Sequence, residues 1–218
     1  MDDHPKTCKY FDRVLECSGH DLTIKQCYLG DVGCVVWDAA LVLMKFLESD
    51  YFKSKHETLG QKRVIELGAG TGAVGLAASL YGAKVTVTDL EDFVPLMQLN
   101  IETNRHYISG SLTAKTLKWG SSVADFLPHP DLILMSDCVY YLESVGDLVK
   151  TLNDLSGPYT HILCSYEERT IGQNLKSLDR FLKLVHEVFL VDEVPLEQQD
   201  PVYRSEDIHI LTMMKPRH

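Results

Sequence analysis

Residues 64–76 read Val-Ile-Glu-Leu-Gly-Ala-Gly-Thr-Gly-Ala-Val-Gly-Leu: an apolar strand, a turn with alternating glycines, then a helix of small residues. Glycines at 68, 70 and 72 tolerate positive φ and let a ligand lie against the backbone. A helix starting near Ala73 turns free N–H groups toward the same place. A second apolar run, Val85 to Thr88, ends at Asp89, where an acidic side chain can grip ribose hydroxyls. The combination implies a nucleoside-containing cofactor bound at the switch point of an α/β sheet.

The glycine turn alone does not choose the cofactor, because Gly68-x-Gly70-x-x-Ala73 also satisfies a loose dinucleotide fingerprint. Glu66 narrows the choice. A carboxylate inside an apolar strand is costly to bury without a donor, and the cationic or N–H-bearing end of a cofactor can be that donor. The chain, at 218 residues, also leaves little room for the substrate domain that a nicotinamide enzyme usually carries. No Lys-Ser or Lys-Thr closes the glycine run, which excludes the phosphate-cradling nucleotide loop. Together with Asp89, residues Glu66 to Gly72 resemble the signature of class I S-adenosylmethionine-dependent methyltransferases. That resemblance implies S-adenosyl-L-methionine as cofactor and S-adenosyl-L-homocysteine as its product.

Composition suits one compact unit. With 45% apolar residues and both charge signs dispersed, the chain can bury a full core. The six cysteines (8, 17, 27, 34, 138 and 164) show no C-x-x-C or other ligand spacing, so no metal site is expected and reduced thiols are the simpler reading. Cys17 and Cys27 could face each other across a hairpin. The polar N-terminus carries no secretory run, and the apolar stretch Cys34 to Leu47 contains Asp38 and Lys45, a buried helix rather than a membrane span. A cytoplasmic protein without membrane or nucleic-acid partners is expected. The net charge of −10 opposes a phosphate-backbone partner and suits a basic, lysine-bearing substrate or plain solubility.

Periodicity orders the rest. Tyr10 to Leu15 and Leu22 to Tyr28 flank a turn and read as a hairpin. Val35 to Leu47 reads as a helix, and residues 50–61 as a polar connection. Strands and helices then alternate: strands 63–67, 84–88, 113–117, 131–136, 161–165, 188–194 and 207–213, with helices 73–80, 91–104, 142–155 and 173–186. Leu90, Phe93, Met97 and Ile101 are the expected inner stripe of helix 91–104. The alternation predicts a parallel sheet covered on both faces, and the unpatterned loop 195–206 predicts an antiparallel hairpin at one edge. The expected architecture is a class I, Rossmann-like seven-stranded α/β sheet (63–218), with an N-terminal hairpin-and-helix extension (1–62) packed on it as one domain.

Ligands in such sheets lie beyond the carboxyl ends of the strands. Those ends carry Glu66 with Gly68, Ala69 and Gly70, then Asp89 with Leu90, then Trp119, Ser136 with Asp137, and Ser165 with Tyr166. Trp119 can lie against an adenine face or simply cap the strand. Asp137, with Tyr140 three residues on, can face a methyl donor or serve only as a helix cap; Tyr140 and Tyr141 are not told apart by pattern. Lysine methylation needs a neutral amine, whereas a free lysine with pKa ≈ 10.4 is mostly ammonium. A carboxylate can hold that ammonium before it loses its proton, and a tyrosine can wall it by cation–π contact.

Asp137-Cys138-Val139-Tyr140 matches the D-x-x-Y motif of the seven-stranded protein-lysine methyltransferases, the methyltransferase family 16 group. Residues 33–40 (Gly-Cys-Val-Val-Trp-Asp-Ala-Ala), Lys118-Trp119-Gly120, residues 165–170 and residues 203–209 are similar to that group's segments as well. The resemblance covers residues 10 to 213. It implies cofactor contacts from Trp37, Gly68 to Gly70, Asp89, Trp119 and Ser136, and places the catalytic pair Asp137 and Tyr140 beside the target amine. Spacing alone leaves Trp37 equally readable as a core residue of its helix. The resemblance further implies up to three methyl transfers to one lysine of a protein substrate, the valosin-containing AAA ATPase chaperone, by a monomeric enzyme. Ser136 departs from the alanine often found there. Tyr166, Glu167 and Arg169 either shape the substrate side or form a Glu–Arg surface pair. Two other readings remain: an N-methyltransferase of small molecules or nucleobases, opposed by the lack of prolines after Asp137, and a non-catalytic cofactor-binding module.

Overall fold

The structure is a computed structural model that describes residues 9–28, 32–56, 58–170 and 172–217. A seven-stranded sheet forms its centre: β3 (Arg63–Leu67), β4 (Lys84–Asp89), β5 (Ser111–Thr116), β6 (Leu132–Ser136), β7 (His161–Glu167), β8 (Leu190–Glu193) and β9 (Ile208–Met214). Their spatial order is β5-β4-β3-β6-β7-β9-β8. The strands from β5 to β7 run parallel, and β9 inserts antiparallel between β7 and β8. This is the expected edge hairpin. Central strands β3, β6 and β7 are buried almost throughout, as two-sided cover demands, while edge strand β5 exposes most of its residues.

Two apolar clusters lie on the two faces. One gathers α1 (Asp38–Glu48), α3 (Ala73–Leu80), Met97 of α4 (Val94–Thr103) and the N-terminal hairpin, β1 (Tyr10–Cys17) with β2 (His20–Cys27). The other gathers α5 (Val145–Leu155) and α6 (Asn174–Val188). The order reverses between β3 and β6, and the chain crosses from one face to the other there. That reversal opens the cleft at the carboxyl ends.

Several expectations are corrected. Residues 50–61 are not only a connection, since α2 (Asp50–His56) forms there. Ser49 caps it, its Oγ accepting the Phe52 N–H at 3.1 Å, and Phe52 is fully buried against Phe46. The first helix begins at Asp38 instead of Val35, which leaves Trp37 extended at its N-cap. Regular helix α4 begins only at Val94, after a 3-10 turn at 91–93, so the inner stripe changes phase. Leu96, Met97 and Asn100 are buried, whereas Leu90 is exposed. Cys17 and Cys27 lie at opposite ends of the hairpin, because Cys17 pairs with His20 and Cys27 with Tyr10. Cys17 is a free thiol and Cys27 is disulfide-bonded, so the reading of six reduced thiols fails at Cys27.

The hairpin is fastened by two asparagines one helical turn apart. Asn104 accepts the Thr23 N–H and donates to the Thr23 carbonyl, both at 2.9 Å. Asn100 accepts the Lys25 N–H at 2.6 Å and donates to the carbonyls of Lys25 and Thr71 at 3.0 and 2.9 Å. The carboxamides thus act as a pseudo-strand beside β2, and Asn100 ties it to the glycine turn.

Candidate active site

The cleft is a cavity of about 240 Å³. Its walls include every residue expected to bind the cofactor (Trp37, Glu66, Gly68, Ala69, Gly70, Asp89, Leu90, Trp119 and Ser136), together with Asp137, Tyr140 and Tyr141. The sequence separates these positions by up to 104 residues, counting from Trp37 to Tyr141. The sheet brings them together.

The glycines serve close approach. A Cβ on Gly70 (φ 52°) would stand 2.5 Å from the Gly33 carbonyl oxygen, and one on Gly68 (φ 59°) would stand 2.7 Å from Cys138 Sγ and 2.9 Å from Trp119. The turn is further held by Asp89, whose Oδ2 accepts the Gly70 N–H and whose Oδ1 accepts the Leu90 N–H, at 2.8 and 2.7 Å. A carboxylate has about four acceptor sites, so these bonds leave capacity for hydroxyl donors. Glu66 is buried, and the donor it meets is in the protein: its Oε2 accepts the Gly75 N–H of α3 at 2.7 Å. Burial, reinforced by the negative charge of Asp89 and opposed by the Gly75 N–H, pushes its carboxyl up to about 8.

Trp37 stands at the cavity mouth with its indole N–H donating to the Val32 carbonyl at 2.7 Å. Its extended backbone just before the helix, rather than helical spacing, aims it there. Asp137 follows the last residue of β6 with φ 53°, a left-handed conformation that aspartate tolerates better than most residues. Its N–H donates to the Ser165 carbonyl at 2.8 Å. Its carboxylate receives Arg169, with Nη1 to Oδ1 at 2.9 Å and Nη2 to Oδ2 at 2.5 Å. Tyr140 and Tyr141 pack edge to face at 4.5 Å. Cys138 is buried, and burial holds its thiol well above the usual range, so it stays neutral. Tyr166 is not on the cavity wall: it is buried and stacks on His209 at 5.2 Å. Of the three residues read as shaping the substrate side, Arg169 is the one that reaches the Asp137 carboxylate; that pairing has no periodic signal in the sequence. Among the described residues no group of His, Cys, Asp or Glu could hold a metal ion.

The fold and its cleft define a class I methyltransferase. Magnesium protoporphyrin IX methyltransferase of Synechocystis with bound S-adenosylmethionine superposes with a TM-score of 0.59 at 15% identity, over 82% of this chain and 80% of that one. The 16S rRNA N2 G1207 methyltransferase of T. thermophilus, solved with S-adenosylmethionine and guanosine, gives 0.62 at 16% identity over 99% and 53%. Such identities speak for fold alone. Sequence relatives go further. Protein N-lysine methyltransferase METTL21A is 40% identical in Xenopus tropicalis over 67% of this chain and 66% of that protein, and 38% identical in Danio rerio over 84% and 78%. EEF1A lysine methyltransferase 3 of Mus musculus is 39% identical over 69% of this chain and 63% of that protein. The methyltransferase 16 family profile, described as lysine methyltransferase, matches residues 16–188. The chain belongs to this lysine methyltransferase family, and its cofactor is S-adenosyl-L-methionine.

The cavity's own chemistry fits that cofactor. Gly68 and Gly70 line the cavity without side chains, Asp89 offers acceptors for a ribose, and the apolar faces of Leu90, Leu117 and Trp119 can enclose a purine. The carboxylates of Asp89 and Asp137 suit a ligand that carries positive charge, whereas buried Glu66 keeps its proton.

Proposed function

We propose that this enzyme methylates a lysine of the valosin-containing AAA ATPase chaperone, up to the trimethyl form, as a monomer in the cytoplasm. The segments at 33–40, 118–120, 165–170 and 203–209 support that substrate. A monomer is supported by the two apolar clusters, which the chain closes upon itself. One observation carries the lysine chemistry: a largely buried carboxylate, Asp137, lies at the cavity wall beside two tyrosines and already holds a side-chain cation.

When bound, S-adenosyl-L-methionine supplies an electrophilic methyl group on a sulfonium. Trp37, Glu66, the turn Gly68 to Gly70, Asp89, Leu90, Trp119 and Ser136 would hold it. Asp137 accepts hydrogen bonds from the incoming ammonium and keeps it in place until its proton leaves to solvent. Trp37 and Tyr140 present π-faces that favour a cation over a neutral group. The neutral Cys138 thiol does not compete as a nucleophile.

Asp137→Asn is expected to keep cofactor affinity within a few-fold and to lower transfer by about 100-fold or more, the range typical for loss of a positioned polar catalytic group. Normal turnover by that variant would remove Asp137 from the mechanism. Incubating the enzyme with cell extract and radiolabelled cofactor tests the substrate. Label on a lysine of the ATPase chaperone supports the proposal, and label on another protein, such as the EEF1A in the mouse relative's name, overturns it.

A further inference from the structure

Asp137, Glu167 and Arg169 form one charge cluster at the carboxyl ends of β6 and β7. Arg169 Nη2 is shared, donating to Asp137 Oδ2 and to Glu167 Oε2, each at 2.5 Å, while Nη1 donates to Asp137 Oδ1. The guanidinium lies 5.1 Å from the centre of the Trp37 ring, behind the wall that Trp37 and Asp137 form, since Arg169 itself does not line the cavity. Two carboxylates and one guanidinium leave a formal charge of −1. The Asp137 side chain is only 7% exposed, whereas Arg169 and Glu167 are 25% and 29% exposed. The buried acid is therefore neutralised by a more accessible arm, and that arm has a second acid to rest on. Leaving Asp137 does not strand Arg169 without a partner, which is what makes breaking an ordinary buried pair so costly.

We propose that Arg169 is a resident counter-ion that occupies the substrate-ammonium position at Asp137, and that an incoming lysine displaces it onto Glu167. This rests on the reading of the cavity as a lysine site. One added ammonium brings the cluster to zero, so the exchange completes its charge. A neutral side chain cannot displace Arg169, which makes the arm a specificity-determining residue. The same exchange works in reverse on the product. Each methyl group replaces one N–H, and a trimethylated ammonium has no N–H left for Asp137. Arg169 then regains its two charge-assisted bonds and the product leaves.

The test uses the full chain saturated with S-adenosyl-L-homocysteine and two probes, n-butylammonium and n-butyltrimethylammonium, at constant ionic strength. Ligand-observed NMR reads affinity, and Trp fluorescence, assigned with Trp37→Phe, reads departure of the guanidinium from Trp37. The unmodified protein is expected to bind n-butylammonium with a saturable fluorescence change and to bind the trimethyl probe more weakly. Arg169→Gln is expected to bind both probes roughly tenfold more tightly, the order of one charged hydrogen bond, with no fluorescence change. Glu167→Gln is expected to weaken n-butylammonium binding several-fold, because the displaced guanidinium has lost its second acid. Unchanged affinity in both variants, or an unchanged fluorescence response in Arg169→Gln, overturns the exchange and leaves Arg169 as a brace. Asp137→Asn separates the two ideas: if it binds n-butylammonium as well as the unmodified chain does, the lysine-site reading itself fails. Melting temperature and S-adenosyl-L-homocysteine affinity establish that each variant is folded, and Glu167→Gln keeps the test decisive if Arg169→Gln is not.

Discussion

At the scale of single residues, Glu66 shows how a position read for its charge acts through its burial. The folded chain holds its proton up to about pH 8, whereas an exposed glutamate releases it near 4.5. Between those values the native state binds one more proton than the unfolded chain, so stability falls as pH rises through the window. One full proton corresponds to about 1.4 kcal/mol per pH unit. Glutamine keeps an acceptor for the Gly75 N–H and cannot ionise. Glu66→Gln, without cofactor, is therefore expected to gain stability relative to the unmodified chain progressively between pH 4.5 and about 8, measured by denaturant unfolding. Parallel pH dependence in the two proteins would show that Glu66 ionises normally. Gly68 and Gly70 were legible at this scale because only glycine suits such close backbone contact. Arg169 was legible only as a charge, since its meeting with Asp137 depends on the register of β6 against β7.

At the scale of elements, helix and strand periods located the sheet and most helices, and the errors fall at their ends. A helix boundary is decided by capping and by what the first turn packs against, which hydrophobic spacing does not encode. Trp37 illustrates the consequence: the helix begins three residues later than its spacing suggests, Trp37 is extended, and it lines the cavity. Asn100 and Asn104 carry no such pattern either, because a polar residue at helical spacing reads as a solvated face. Asn100 is instead 2% exposed and bonded at three points. Asn100→Ala removes these bonds and leaves buried backbone groups without partners. The expected loss is about 2–4 kcal/mol, and cofactor affinity should fall with it because Thr71 belongs to the glycine turn. A loss below about 1 kcal/mol in chemical denaturation would mean that water replaces the carboxamide without cost.

Across the whole molecule, charge and topology act together. A net charge of −10 surrounds a cleft whose own acids point toward a cationic substrate. Association with a lysine-bearing protein should be steered, and kcat/KM should fall when salt shortens the screening length to about 8 Å, with kcat nearly constant. A salt-independent kcat/KM would assign the acidity to solubility. The sequence by itself determined the α/β class, the seven strands, the glycine turn and the acids at strand ends, because these depend on local period and on residues that few backbone positions accept. Only the tertiary structure decided that Glu66 meets Gly75, that Tyr166 turns into the core and that Arg169 lies on Asp137. Each depends on contacts between elements distant in the chain, which strand register and helix packing create and local propensity does not specify.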